Sequence, residues 1–259
     1  MQNTFRRIGF WLFVSLTALF LLVPTLIIVP MSFTTAAQLE FPPVGFTLDW
    51  YVKILTDSEW QIALKNSLVI GISTALLATV IGTTAALALE ANEFRGKVIV
   101  LGLLLSPMVT PVIVLGVGTY MLFARWGLSG TLPGMIAAHT VLAIPFVLVS
   151  VMASLKMVNP NLALASAGLG GGRLFTFRRV TLPLIKPGVV SGAVFAFITS
   201  WDEVVIAIFV SNSQSRTVPI MIWNQARANL DPATAAVGAL LIAISTIGVL
   251  LSFKNKEGQ

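Results

Sequence analysis

NPNLALASAGLGGGRLFTFRRVTLPLIKPG, Asn159 to Gly188, lies between two long apolar runs and is too polar to cross a membrane itself. It is also far longer than the few residues a connection between neighbouring helices needs. Asn159 is a favoured helix cap and Pro160 a favoured first residue, so residues 161–168 read as a short helix. Gly170-Gly171-Gly172 then forces a turn, because glycine takes left-handed backbone angles without steric penalty. Arg173 to Thr181 reads as a second short helix, with Phe175 and Phe177 set among basic residues. Pro183 and Pro187 are expected to stop it. Two short helices joined by a glycine turn make a rigid knob between two longer elements. The competing reading is an amphipathic segment lying on anionic lipid, which Arg173, Arg178, Arg179 and Lys186 would favour.

The flanking runs set the class. The 259 residues are 56% hydrophobic and only 10% charged, against about 25% charged in soluble domains. A mean hydropathy of +0.92 agrees, and the chain reads as an all-α membrane protein. The net charge of +6 is no nucleic-acid footprint, since the Lys and Arg residues are spread between apolar runs rather than clustered on one face. The absence of cysteine excludes disulfide and thiol chemistry. One histidine and scattered acids give no metal-ligand cluster. Neither GxxxxGK followed by Ser or Thr, nor a strand entering GxGxxG, is present, so no nucleotide site is expected in this chain.

A helix needs about 20 apolar residues to cross a bilayer. Six segments qualify: residues 8–31, 66–89, 98–124, 131–155, 187–210 and 232–253. The first is longer than the roughly 7–15 apolar residues of a signal peptide and is read as an uncleaved span. With the N-terminus inside, eleven Lys and Arg residues fall in inner segments: Arg6, Arg7, Arg95, Lys97, Lys156, Arg173, Arg178, Arg179, Lys186, Lys254 and Lys256. Five fall outside, Lys53, Lys65, Arg125, Arg216 and Arg227. That bias places both termini in the cytoplasm. Trp50, Tyr51, Trp60 and Trp223 then lie in outer segments, as interfacial anchors or packing residues. Gly188 and Gly192 form a GxxxG that lets another helix approach closely.

Asp202 and Glu203 stand inside the fifth run, where a charge costs at least about 2.5–3.5 kcal/mol. On a helix continuing to Val210, Thr199 would lie near both acids and Ser200 near Glu203, giving one polar patch that also borders Trp201. From Gly188, Asp202 would be roughly 21 Å along the helix, past mid-depth. The patch reads as a gate or solute contact, or alternatively as an acid pair satisfied by other helices. His139 is expected near the outer end of the fourth span in a structural role.

The knob resembles the EAA loop of ABC importer permeases, Glu-Ala-Ala, three residues, Gly, nine residues, Ile-x-Leu-Pro. Here the register is Leu164-Ala165-Ser166, Gly170, Val180-x-Leu182-Pro183. Leu164 stands where the family usually has Glu, and Ser166 replaces the second Ala. FPPVGFTLDWYVKIL (41–55), NSLVIGISTALLATVIGTTAALAL (66–89), HTVLAIPFVLVSV (139–151) and SWDEVVIAIFVS (200–211) are similar to spermidine/putrescine-type permeases, especially the second of their two permease subunits. The resemblance implies a six-helix type I importer fold in a bacterial inner membrane and a subunit with no catalytic residues. It implies a partner permease, an ATPase dimer holding ATP and magnesium, and an extracytoplasmic solute-binding protein. It implies that Leu164, Ala165, Ser166, Gly170, Arg173, Phe177, Leu182 and Pro183 dock on the ATPase as a coupling helix. A polyamine is the solute expected first; iron, opines, amino acids and aminophosphonates stay open. The rival readings are a proton-coupled secondary transporter using Asp202 or Glu203, and a structural membrane scaffold.

Overall fold

A computed structural model describes the backbone of residues 2–228 and 231–256, and the side chains of residues 6–228 and 231–246. Its regular structure is helical throughout the described residues. The chain divides into two compact units, Met1–Gln61 with Ile222–Gln259, and Ile62–Met221.

In the first unit, α1 (Gln2–Met31) and α12 (Pro232–Lys256) pack together, and α2 (Asp49–Thr56) also lies against α12. α1 exposes Phe10, Trp11, Phe13 and Phe20, as a helix facing lipid does. Lys53 of α2 forms an ion pair with Asp231 beside the start of α12. Trp50 donates its indole N–H to the Thr34 carbonyl at 2.6 Å, and Tyr51 shares a 2.6 Å hydrogen bond with Ser32. Trp60 is fully buried, so of the four aromatics expected at the interface it is a packing residue.

The second unit is built around α6 (Leu132–Lys156), which Thr131 caps by accepting the Gly134 N–H at 3.1 Å. α6 runs against α9 (Leu182–Trp201), α4 (Lys97–Val109) and α10 (Val205–Val210), and α10 also packs on α5 (Val112–Trp126). Helix association within lipid depends on close packing rather than on expelling water. The α6–α9 contact is close because α9 offers glycine: a Cβ on Gly188 would stand 2.6 Å from the Ser150 carbonyl oxygen, and one on Gly192 2.9 Å from Val147 Cα. The expected GxxxG is thus a packing face. On α3 (Ser58–Ala91), Gly82 meets Val147 in the same way, at 2.7 Å from its Cβ.

Among the described residues, four helices are long and apolar enough to cross a membrane: Arg6–Met31, Ser58–Ala91, Leu132–Lys156 and Arg173–Trp201. The expected third span is two helices, α4 and α5, bent by 104°. The cause is local. Pro111 has no N–H and crowds the residue before it out of the helical region, and Thr110 is extended at φ −72, ψ 133. Counted as one broken span, the pair makes five. α12 has 25 residues, of which Pro232–Thr246 is a described apolar segment. Residues 247–253 of the expected sixth span, with Lys254 and Lys256, lie outside the residues described to their side chains.

The fifth span also differs from expectation. Pro183 and Pro187 do not stop the preceding helix. α8 (Arg173–Thr176) passes through a π-turn at Phe177–Thr181 directly into α9. Pro183 follows directly on the π-turn and Pro187 lies further along, both accommodated within the continuous helix. The far end is shorter than expected: α9 ends at Trp201, and residues 202–204 are not α-helical.

Candidate functional site

Two places in the second unit carry the polar groups singled out in the sequence. One is the knob. α7 (Asn161–Gly168) begins where Asn159 Oδ1 accepts the Asn161 N–H at 3.0 Å. The turn after it has Gly170 at φ +83, a conformation that side chains with a Cβ rarely adopt. Ser166 is buried, and its hydroxyl hydrogen-bonds Thr176 at 2.8 Å while its carbonyl accepts the Gly171 N–H at 2.8 Å. These bonds tie α7 to α8, so the two short helices hold one geometry. A Cβ on Gly171 would lie 2.6 Å from Ser166 Oγ, so the turn needs glycine there as well.

The outward surface of the knob is apolar and cationic. Leu164 is 69% exposed, Leu169 89% and Phe175 58%. Ala165, Arg173, Arg178, Arg179 and Pro183 are exposed, while Phe177 and Leu182 are half-buried. No Asp or Glu occurs between Glu93 and Asp202. The knob therefore has no carboxylate, and any charged contact it makes is through its arginines and lysine.

The other place is the end of α9. Asp202 donates its backbone N–H to the Ile198 carbonyl at 3.0 Å, closing the last helical turn, and its side chain is exposed. Glu203 lies in the break and accepts the Ile206 N–H at 2.7 Å, capping α10. An acid at a helix N-terminus satisfies a donor with no partner inside the helix and complements the helix dipole. The single polar patch expected from an unbroken helix is therefore not formed. Thr199 and Trp201 remain on the last turn of α9, with Trp201 stacked on Phe197 at 5.6 Å between ring centroids. Ser200 bonds His139 Nδ1 at 2.8 Å.

The His139–Ser200 pair is the residue relationship the sequence did not reveal. The two positions are 61 residues apart and no local pattern links them. The signal present was a lone histidine facing a serine-containing apolar run, which matches many pairings. Both side chains are buried, and His139 Nε2 has no partner among the described residues.

Comparison with known proteins places this geometry in a family context. Residues 78–253 match the model of the binding-protein-dependent transport system inner membrane component. The chain is 30% identical over 233 residues to the spermidine/putrescine transport system permease protein PotC of Escherichia coli (strain K12), covering 90% of this chain and 88% of that protein. It is 29% identical to the putrescine transport system permease protein PotI of the same organism, covering 89% and 85%. A chain in the crystal structure of a bacterial ABC transporter that imports the acidic polysaccharide alginate superposes with a TM-score of 0.74 at 16% identity, covering 100% of this chain and 97% of that one.

Proposed function

The chain belongs to the family of binding-protein-dependent transport system inner membrane components, the ABC transporter permeases of spermidine/putrescine type, and we propose that it forms half of the translocation path of an ATP-driven importer. Six spans with both termini cytoplasmic make up the permease, the broken α4–α5 pair serving as one and α12 as the last. A second permease, an ATPase dimer and an extracytoplasmic binding protein complete the assembly. ATP is hydrolysed in the ATPase, and this chain contributes motion rather than chemistry.

The observation that carries this reading is the continuity of helix from Arg173 to Trp201. It joins the knob at one end to the Asp202–Glu203 break at the other. A docking event on the exposed face of Leu164, Leu169 and Arg173 displaces one end of a stiff rod, and the other end carries the acids. The knob docks by apolar area and positive charge, since it has no carboxylate to offer. The solute is a polyamine or a related amine-bearing molecule. The identity to polyamine permeases and the exposed Asp202 carboxylate support that choice. The fold alone does not, because an alginate importer shares it.

The deciding experiment is reconstitution of the chain with its partner permease, ATPase and binding protein in proteoliposomes. Uptake of labelled putrescine that requires ATP and each partner is the expected result. Uptake that proceeds without the ATPase and collapses with the proton gradient would overturn the importer reading. Uptake of another solute class with no response to putrescine would overturn the polyamine assignment alone.

A further inference from the structure

The α6–α9 interface is close where α9 offers glycine, with Gly188 against Ser150 and Gly192 against Val147. Among the described residues, one side-chain hydrogen bond joins the two helices, His139 Nδ1 to Ser200 Oγ at 2.8 Å. It sits at the end where the glycine contacts have run out. His139 is fully buried and Ser200 is 5% exposed, so water does not compete for the bond. A hydrogen bond in such a setting is costly to lose, because both partners would be left buried and unpaired. His139 already leaves Nε2 without a partner. A buried polar atom left unsatisfied calls for an explanation beyond packing, since leucine would fill the same space without that cost.

The position of the bond supplies one. Ser200 is the penultimate residue of α9, and the helix ends at Trp201. The next residues are Asp202, which closes the last turn, and Glu203, which caps α10. α10 packs on α5 and α6 rather than continuing along α9. Whatever fixes Ser200 therefore fixes the place where the rod stops and the acids begin.

We propose that His139 is a positioning residue for transport: it pins the far end of α9 to α6, so that displacement received at the knob is delivered to the Asp202–Val204 break instead of being lost in sliding between the two helices. This inference rests on the coupling role proposed above. Without the pin, the glycine-lined part of the interface still holds the helices together. The last turn of α9 is then free to slip, and the acids no longer follow the knob. The role lies in the bond and not in the imidazole as such. Asparagine places an oxygen or nitrogen at the same number of bonds from Cβ as Nδ1, so it can restore the contact.

The chain has no cysteine, so an introduced thiol is the sole one in this subunit, and its labelling is read on this chain after the subunits are separated. The complete complex carrying Asp202→Cys is treated with a water-soluble maleimide, nucleotide-free and with ATP plus vanadate. With His139 and Ser200 intact, the labelling rate is expected to change several-fold between the two states. In His139→Leu and Ser200→Ala backgrounds the change is expected to vanish while complex recovery stays the same. His139→Asn is expected to retain it, and the Leu/Ala double variant to behave like either single variant. A full nucleotide-dependent change in Ser200→Ala overturns the pin, and Ser200→Ala decides the matter even if His139→Leu fails to assemble. No nucleotide response with both residues intact overturns the coupling reading itself, and the pin with it.

Discussion

Glu203 accepts the backbone N–H of Ile206 at 2.7 Å, so the second acid of the pair serves the helix that follows it. Its neighbour Asp202 points outward with its side chain exposed. The two adjacent carboxylates thus differ, one engaged with the backbone of the next helix and one exposed. Replacing Glu203 with Ala removes a helix cap, a loss of typically about 1 kcal/mol in other helices. Gln keeps an acceptor oxygen. Glu203→Gln is therefore expected to retain most transport and Glu203→Ala to lose more, checked by uptake at matched complex levels.

Asp202→Asn keeps the size of the side chain and removes its charge. If the exposed carboxylate meets an amine, the half-saturating putrescine concentration should rise several-fold while ATP hydrolysis is retained. Uptake assayed over a range of putrescine concentrations in proteoliposomes tests this, and an unchanged curve would assign Asp202 to structure.

Gly170 at φ +83 has open space where a Cβ would stand, so only its backbone angle resists substitution. Gly170→Val strains the turn between α7 and α8 and should tilt the knob without touching the membrane helices. The expected result is an assembled complex that hydrolyses ATP with transport lowered by tenfold or more, on the order of 1.4 kcal/mol in the coupled step.

Gly188 fails differently. Its missing Cβ is occupied by Ser150 and Ser154 of α6, and these helices cannot separate without disturbing Val147 and Gly192. Gly188→Val is expected to lower the amount of folded protein in the membrane rather than to uncouple it, as detergent-extracted yield and protease resistance will show.

Local chemistry made the knob readable in advance. Asn159 and the glycine run marked α7 and the turn after it, since caps and turns depend on a few adjacent residues; the second short helix did not end at Pro183 but runs on into α9. The GxxxG face was readable for the same reason. The proline effects were not. Pro111 breaks a span, while Pro183 and Pro187 sit within a helix, and the difference lies in whether the surrounding turns can absorb the missing donor. The polar patch misled because helical periodicity assumes the helix continues, and Glu203 instead caps a new one. His139 and Ser200 meet only through the packing of α6 on α9, a relation of 61 residues that no local rule encodes.

The π-turn at Phe177–Thr181 has a consequence for phase. Each residue advances a helix by about 100°, so deleting one between Arg173 and Gly188 would rotate the glycine face of α9 away from α6. An insertion would do the same in the other sense. The exposed side chains of the knob, such as Leu164 and Leu169, can change without disturbing its turn, but the number of residues linking it to Gly188 cannot. Length, in this segment, is as much a specified property as any side chain.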